Sequence, residues 1–273
     1  MPRCADTTCG RWRPERLAPR WATGLRFNER WYCSRECVEN AVKARLDAPS
    51  PTTGVPALPP LRLGVLLRHL GAVTEDQLAQ ALAAQRSSGC RLGEELQRLA
   101  LVSKDAILRA LAAQGGVRYL ASFEISRLAQ GPDWLPEDTV QALGLVPFEL
   151  DESERRIKVL CTAPVPRAAL RALTKLTSWL PEAYLVDDTV WADAMRVYRS
   201  RGETTNAGSA HVSNLAAAAS RVADVALADR AITMRHASYE GHTWVRVEGP
   251  QQWSDVWVTS TQEDPCLVEH TAH

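Results

Sequence analysis

A short tandem repeat is the feature that most constrains the fold of this chain. Arg62-Leu63-Gly64 recurs 29 residues later as Arg91-Leu92-Gly93. The other matched pairs are Leu67 and Leu96, Val73 and Val102, Leu78 and Ile107, Leu82 and Leu111, and Gln85 and Gln114. A connector from Arg86 to Cys90 separates the two units. Because overlooking a repeat leads to a wrong fold prediction, the helices of this region are predicted from the repeat.

Each unit is predicted to form two helices. In the first unit the apolar positions of one helical face are Leu63, Leu66, Leu67 and Leu70. Gly71 suits the left-handed residue that ends a helix, and Thr74 followed by Gln77 forms a capping box that opens the next helix. In the second unit Ser103 takes the place of Thr74, and Gly115-Gly116 ends the last helix. Two such helical hairpins can pack into a four-helix unit.

The repeat departs from itself where Gly71 becomes Ala100. If the backbone at Ala100 is left-handed, alanine costs on the order of 1 kcal/mol relative to glycine. A differently shaped turn at this point is the alternative.

The residue types of the repeat point beyond simple packing. Leucines at helical spacing are typical of a core. A packed helix pair, however, needs neither an arginine ahead of its first leucine nor a glutamine in its last turn, and glycine third in a helix costs roughly 0.5–1 kcal/mol. Together these residues could hold a flat, charged aromatic ligand. Arginine would meet a phosphate or guanine edge, leucine would cover the ring, and glutamine would bond a base edge or ribose.

These units resemble the N-terminal domain of type II secretion and type IV pilus assembly ATPases (the GspE/MshE N-terminal type), over about residues 61–200. In some members of that family the tandem motif binds cyclic di-GMP. The resemblance implies a nucleotide-binding role for Arg62, Leu63, Gly64, Leu67, Leu78, Leu82, Gln85, Arg91, Leu92, Gly93, Leu96, Ile107, Leu111 and Gln114. Arg68 and Gln97 stand where the family usually has an aliphatic residue, and Ala100 stands where it has glycine.

The rest of this segment fits the second half of the family's layout, a small α/β sandwich. The predicted elements are a helix opened by Leu135 to Asp138 and running through Leu143, a hairpin around Asp151-Glu152-Ser153, a helix from Arg167 to Ser178, a strand from Glu182 to Val186, and a helix from Asp188 to Tyr198 with an Asp N-cap. The family's ATPases continue into a motor with a G-x-x-x-x-G-K-[ST] loop, and no Gly-Lys dipeptide occurs in this chain. The resemblance is therefore to the regulatory domain without its motor.

Four cysteines near the start of the chain have the pattern of a structural metal site. Cys4-x4-Cys9-Gly10 and Cys33-x3-Cys37 could supply four thiolates to Zn²⁺. The stretch Trp31 to Cys37 resembles the closing half of a treble-clef finger, with a helix running on to Leu46. Because a short arginine-rich segment can hardly build a core alone, a metal would supply stability. Four unrelated reduced thiols are the alternative.

Composition divides the chain into several parts. Taken together, their predicted elements make an α+β protein. The predicted parts are a zinc-finger-like module at 1–47, a Pro-rich linker at 48–60, a secretion-ATPase-type domain at 61–200 (tandem repeat 61–116, α/β part 117–200), a linker at 201–230 and a small β-rich tail at 231–273. The net charge of zero is the sum of three unlike parts: +4 for residues 1–47, +1 for residues 48–201 and −5 for residues 202–273.

These observations exclude several function classes. No apolar run approaches the roughly 20 residues that span a bilayer, and no apolar segment of a signal peptide follows Met1, so a cytoplasmic protein is expected. No nucleophile–base constellation is visible, so we expect no enzyme. The leading hypothesis is a regulatory or adaptor protein that binds cyclic di-GMP and relays it to a partner. The alternatives are a ligand-free docking module of a secretion or pilus machinery and, less favoured, a zinc-finger nucleic-acid binder.

Overall fold

The computed structural model of the chain describes residues 3–12, 24–48, 61–132, 135–201, 208–228, 230, 233–239, 241–250 and 252–259. Within these ranges the chain is a mixed α+β protein, as the sequence predicts, with one four-helix unit and separate β-sheets. Residues 49–60 of the predicted Pro-rich linker lie outside the described ranges. None of the described helices is both long enough and apolar enough to cross a bilayer.

The N-terminal module is a β-hairpin followed by a helix. Strands β1 (Leu25–Phe27) and β2 (Arg30–Tyr32) pair in antiparallel fashion. Asn28 and Glu29 between them both have positive φ, as a two-residue hairpin turn requires. Helix α1 (Arg35–Asp47) begins after Ser34, whose hydroxyl accepts from the Cys37 N–H. This helix matches the one predicted to run from Cys37 to Leu46.

The tandem repeat forms four helices with exchanged partners. They are α2 (Leu63–His69), α3 (Glu75–Ser88), α4 (Leu92–Arg98) and α5 (Lys104–Gly115). The predicted capping box of Thr74 and Gln77 and the Ser103 cap are both present. Helix α2 packs mainly against α5 and α3 mainly against α4, while α2 also contacts α4. The first helix of each unit therefore pairs with the second helix of the other.

Both units end their first helix with the same left-handed turn. Gly71 has φ +68° and Ala100 has φ +51°. The N–H of Ala72 bonds the Leu67 carbonyl at 2.9 Å, and the N–H of Leu101 bonds the Leu96 carbonyl at 2.9 Å. The differently shaped turn considered for Ala100 is therefore not formed, and alanine occupies a conformation that favours glycine.

We expect Ala100→Gly to raise the free energy of unfolding by about 1 kcal/mol, because it removes the left-handed alanine. Gly71→Ala should lower it by a similar amount, since a Cβ there meets no atom within 4 Å and only the backbone conformation is penalised. Urea denaturation measures both changes. Ala113→Gly, at an exposed position inside α5, is the matched control and should destabilise by about 1 kcal/mol. A destabilising Ala100→Gly would contradict the argument.

The middle part is the predicted α/β sandwich. Its elements are β3 (Arg118–Tyr119), a 3₁₀ helix (Ile125–Gln130), α6 (Glu137–Leu143), β4 (Val146–Asp151), β5 (Arg156–Cys161), α7 (Arg167–Thr177), β6 (Leu180–Leu185) and α8 (Asp188–Ser200). The sheet order is β3-β6-β5-β4, with β6 parallel to both β3 and β5 and with β4 antiparallel to β5. The α8 cap is Asp187, one residue before the helix start, and β3 and the 3₁₀ helix have no counterpart in the sequence prediction.

The C-terminal part differs from its prediction. The sequence predicts a linker over 201–230, yet β7 (Gly208–Val212) and α9 (Leu215–Ala228) lie there. The alanine-rich α9 resembles low-complexity sequence, but its small residues form a buried face. Strands β8 (Thr233–Tyr239), β9 (His242–Glu248) and β10 (Trp253–Thr259) provide the predicted β-rich tail, and the sheet order is β7-β10-β9-β8.

The two ends of the chain share one hydrophobic core. Helix α1 packs along α9, and apolar residues of both join one face of the C-terminal sheet, among them Val38, Val42, Val222, Val245 and Val256. The Arg35 guanidinium donates to the Asp224 carboxylate at 2.6 Å across this interface. The opposite face of the sheet presents Trp244 and Trp257 to the core of the middle part. The C-terminal sheet thus lies between the N-terminal module and the α/β sandwich.

Candidate functional site

The four N-terminal cysteines converge on one point. The Sγ atoms of Cys4, Cys9, Cys33 and Cys37 all lie within 4.8 Å of one another. Cys9 Sγ is 3.3 Å from Cys33 Sγ, which is 3.6 Å from Cys37 Sγ. Four sulfurs around a Zn²⁺ ion, each at about 2.3 Å, stand about 3.8 Å apart. The four thiols are therefore close enough to hold a metal ion.

Two structural elements bring these sulfurs together. Cys4 and Cys9 sit on a turn closed by backbone hydrogen bonds from Cys4 N–H to the Arg11 carbonyl (2.8 Å) and from Cys9 N–H to the Asp6 carbonyl (3.2 Å). Gly10 in this turn has φ +63°, a conformation that glycine adopts at no steric cost. Cys33 follows β2 and Cys37 lies in the first turn of α1. The hairpin and α1 thus supply Cys33 and Cys37, and the N-terminal turn supplies Cys4 and Cys9.

Backbone donors point at the sulfurs, as anionic ligands require. The Cys33 N–H donates to Cys4 Sγ at 3.4 Å. The Arg11 N–H, together with the contact to Cys33, lowers the pKa of the Cys9 thiol. Burial raises the pKa of Cys37 and of Cys33. A cation reverses such a burial effect, because a coordinating thiol is deprotonated outright.

A carboxylate braces the turn beside the sulfurs. Asp6 accepts from the backbone N–H of Thr8 at 3.0 Å, from its hydroxyl at 2.7 Å and from the Asn40 amide at 3.2 Å. The Thr8 hydrogen bonds, which are the largest cause, lower the pKa of Asp6 to about 2. Asn40 lies on α1, so Asp6 ties the first cysteine pair to the helix that carries Cys37.

The repeat's glycines lie where its helices cross. A Cβ on Gly64 would approach Leu78 Cδ1 to 2.9 Å and Leu92 Cδ2 to 3.4 Å. A Cβ on Gly93 would meet Ile107 Cγ2 at 3.5 Å and Leu63 Cδ2 at 3.6 Å. Each glycine therefore faces the same two positions of the repeat, one in its own unit and one in the other unit. A Cβ on Gly64 would therefore crowd Leu78, which gives this glycine a packing role, whereas a Cβ on Gly93 would make only ordinary van der Waals contacts.

The apolar motif residues divide into core and surface. Leu67, Leu96 and Ile107 are buried, and Leu63, Leu78 and Leu92 pack against the same core. Leu82 is exposed at 37%, whereas its counterpart Leu111 is half-buried against both the helical core and the core of the middle part. The two matched leucines are therefore unequally exposed, and Leu82 is the more open.

The two motif arginines occupy equivalent and exposed places. Arg62 is the N-cap of α2 with φ −66° and ψ 139°, and Arg91 is the N-cap of α4 with φ −70° and ψ 145°. Among the described residues neither guanidinium has an ion-pair partner. Arg68, where the family has an aliphatic residue, pairs instead with Glu75 at 3.1 Å. Two like-charged groups at matched helix starts can attract an anion.

The motif glutamines make backbone contacts. Gln85 Nε2 donates to the Cys90 carbonyl at 3.0 Å, and Gln114 Nε2 donates to the Leu61 carbonyl at 2.5 Å. Cys90 precedes Arg91 and Leu61 precedes Arg62. The structure therefore brings all fourteen motif residues into one four-helix unit, while their role as nucleotide ligands stays a prediction.

Sequence reasoning missed a buried polar cluster between the C-terminal sheet and the middle part. Arg246 donates to both carboxylate oxygens of Asp255, at 2.7 Å each, and Thr139 Oγ1 lies 3.3 Å from Asp255 Oδ2. Trp257 Nε1 donates to Thr139 Oγ1 at 2.9 Å, and the Trp244 and Trp257 rings stack at 5.2 Å. The available signal was the alternation of β9 and β10, which places Arg246 opposite Asp255.

Comparisons with known proteins give partial likenesses. No family model matches the chain, and no curated protein matches it. The chain is similar over 50% of its length to a solved structure described as MshE with cdg, at 28% identity, 98% coverage of that chain and a TM-score of 0.40. It is similar over 50% of its length to the N-terminal domain of XpsE, at 18% identity, 92% coverage of that chain and a TM-score of 0.33.

Proposed function

We propose that the chain is a non-enzymatic, cytoplasmic regulatory protein that binds cyclic di-GMP at its tandem helical repeat and relays the bound state to a partner of a secretion or pilus machinery. The observation that carries the proposal is the pair of exposed arginines, Arg62 and Arg91, at matched helix starts without ion-pair partners among the described residues. A dinucleotide with two guanines and two phosphates has a matching duplication of anionic and planar groups.

The geometry supports different roles for the arginine and leucine side chains at the proposed site. Arginine's planar fork pairs with a phosphate or with a guanine edge. The exposed Leu82 side chain lies on α3, one turn after the Leu78 that packs beside Gly64 of α2, and provides an apolar surface for a ring face. Because Leu111 is half-buried, the second half-site would open only partly, and the ligand would bind the Leu82 side more fully.

Isothermal titration of the full chain with cyclic di-GMP tests the proposal. We expect saturable binding by the wild type and loss of at least tenfold in affinity for Arg62→Ala with Arg91→Ala, because both cationic groups that would pair with the phosphates or guanine edges are removed. Arg196→Ala, which changes an exposed arginine on α8, is the matched control and should bind as the wild type does. No heat from the wild type at high micromolar protein would reject the proposal.

One observation favours a second candidate, a ligand-free docking module. Leu61, Val65 and Leu70 on and beside α2 are exposed at 61%, 53% and 52%. Several exposed apolar side chains on one short segment suit a protein contact. Equal recovery of machinery components by the wild type and by the double arginine variant would favour docking, whereas ligand-dependent recovery would favour the regulatory role.

We further propose that the four cysteines hold a structural Zn²⁺ ion. The sulfur spacing, the backbone donors and the four-thiolate donor set support a closed tetrahedral site. Cys4, Cys9, Cys33 and Cys37 would hold the ion, which would join the N-terminal turn to the hairpin and α1. The metal would stabilise the module rather than act in chemistry.

A further inference from the structure

We propose that Gln85 and Gln114 are positioning residues that orient the two motif arginines, and that they do not contact the nucleotide. The inference rests on the proposed function for its binding readout. It reassigns both glutamines from the ligand role that the family resemblance implies. Each holds the peptide that leads into the arginine at the start of a helix.

The same hydrogen bond occurs twice by different routes. Gln85 reaches the Cys90 carbonyl across the short connector, five residues away. Gln114 reaches the Leu61 carbonyl from 53 residues away, at the far end of the other unit. Both bonds nevertheless meet the carbonyl of the residue just before the arginine, and Arg62 and Arg91 themselves have closely similar φ and ψ. Matching contacts from such different separations indicate a duplicated function of the side chain.

Among the described residues no ion pair holds either arginine side chain, and the Arg91 N–H also donates to the Glu94 carboxylate at 3.0 Å. Both are exposed N-cap residues without ion pairs among the described residues. The direction of the guanidinium therefore depends on the backbone that enters the helix. A held peptide restricts the arginine's approach before the ligand arrives, which reduces the ordering cost of binding.

Gln114 also links the site to the middle part of the protein. Its backbone carbonyl accepts from the Arg167 guanidinium at 3.1 Å, at the start of α7. A Cβ on the neighbouring Gly115 would meet Val165 Cγ2 at 2.3 Å. The side chain that sets Arg62 thus belongs to a segment packed closely against the α/β sandwich, whereas Gln85 acts within the repeat alone.

The binding test is a pair of double-mutant cycles with cyclic di-GMP. We expect Gln85→Ala to weaken wild-type binding about fivefold, and to have little further effect in an Arg91→Lys background. Gln114→Ala should behave likewise with Arg62→Lys. Crossed pairs, such as Gln85→Ala with Arg62→Lys, should be additive, because each glutamine serves one arginine. A direct nucleotide contact predicts additivity in every pair, which would overturn the proposal.

A ligand-free measurement separates this inference from the proposed function. Cys90-Arg91 is the only Cys-Arg dipeptide in the sequence. Labelling with ¹³C′-cysteine and ¹⁵N-arginine therefore gives a single carbonyl–amide cross-peak from this peptide. We expect Gln85→Ala to shift the Cys90 carbonyl resonance upfield, since its hydrogen bond is lost, and Gln114→Ala to leave it unchanged.

The outcomes are distinct. A carbonyl shift with non-additive matched cycles supports the inference. Weaker binding by Gln85→Ala with an unmoved carbonyl resonance overturns it, because the side chain then acts on the ligand. If the wild type binds no cyclic di-GMP, the proposed function fails. The Cys90 carbonyl resonance still tests whether Gln85 holds this peptide. An upfield shift in Gln85→Ala supports the contact, and an unmoved resonance refutes it.

Discussion

Replacing Asp255 with alanine should lower the free energy of unfolding by about 3 kcal/mol. Arg246 and Asp255 are 3% and 0% exposed, and they share two hydrogen bonds of 2.7 Å. Removing one partner of a buried ion pair leaves the other charge poorly compensated, which typically costs about 3–5 kcal/mol. Asp255 also contacts Thr139 of α6, so the loss should loosen the contact between the C-terminal sheet and the middle part.

Chemical denaturation measures this effect, and two variants make it specific. Asp193→Ala removes an exposed partner of Arg196 and should change stability by less than about 1 kcal/mol. Arg246→Met combined with Asp255→Leu removes both charges and should recover most of the loss. A loss below 1 kcal/mol for Asp255→Ala alone would show that the pair contributes little.

Removing the proposed metal should unfold the N-terminal module and weaken α9 and the C-terminal sheet with it. Small metal modules draw their folding free energy from ligation, since their own cores are insufficient. The cysteine module contributes Phe27, Val38 and Val42 to the core that α9 and the C-terminal sheet complete. In Cys37→Ser we therefore expect loss of stoichiometric zinc and loss of hydrogen-exchange protection in α9 as well as in α1.

Element-specific mass spectrometry and hydrogen exchange measure the two parts of this prediction. Cys90→Ser is the matched control, because Cys90 is exposed and lies outside the cluster. It should keep both metal and protection. Zinc absent from the purified wild type, or retained in full by Cys37→Ser, would remove the zinc proposal. Metal loss that leaves α9 fully protected would show that the shared core is independent of the site.

Local signals predicted most of the secondary structure. Capping residues such as Thr74 and Ser103 have a fixed chemical task, so their positions mark the helix starts directly. The alignment of Ala100 with Gly71 made a left-handed alanine one of two possibilities, and the structure decides between them. The α+β class, with a helical repeat and β-rich segments, followed from the same patterns and is confirmed.

Tertiary partnership was not predictable from the same patterns. The apolar stripes of α2 and α3 are compatible with packing inside one unit or between units, and only the structure shows the exchange. The hydrogen bond from Gln114 to Leu61 depends on that exchange, so no spacing rule could reveal it. Helix α9 escaped prediction because an alanine-rich run has little hydrophobic contrast. The opposite net charges of residues 1–47 and 202–273 are consistent with the contact between α1 and α9.

The meeting of the two chain ends sets an order of events during synthesis. Helix α1 ends at Asp47 and its partner α9 begins at Leu215, so 167 residues separate them. At about 5–20 residues per second, the ribosome takes on the order of ten seconds or more to make that interval. For this time the side of α1 that faces α9 lacks that partner, and only the hairpin residues such as Phe27 cover part of its apolar surface. A bound metal would keep the nascent module folded while the rest of its core is still being translated.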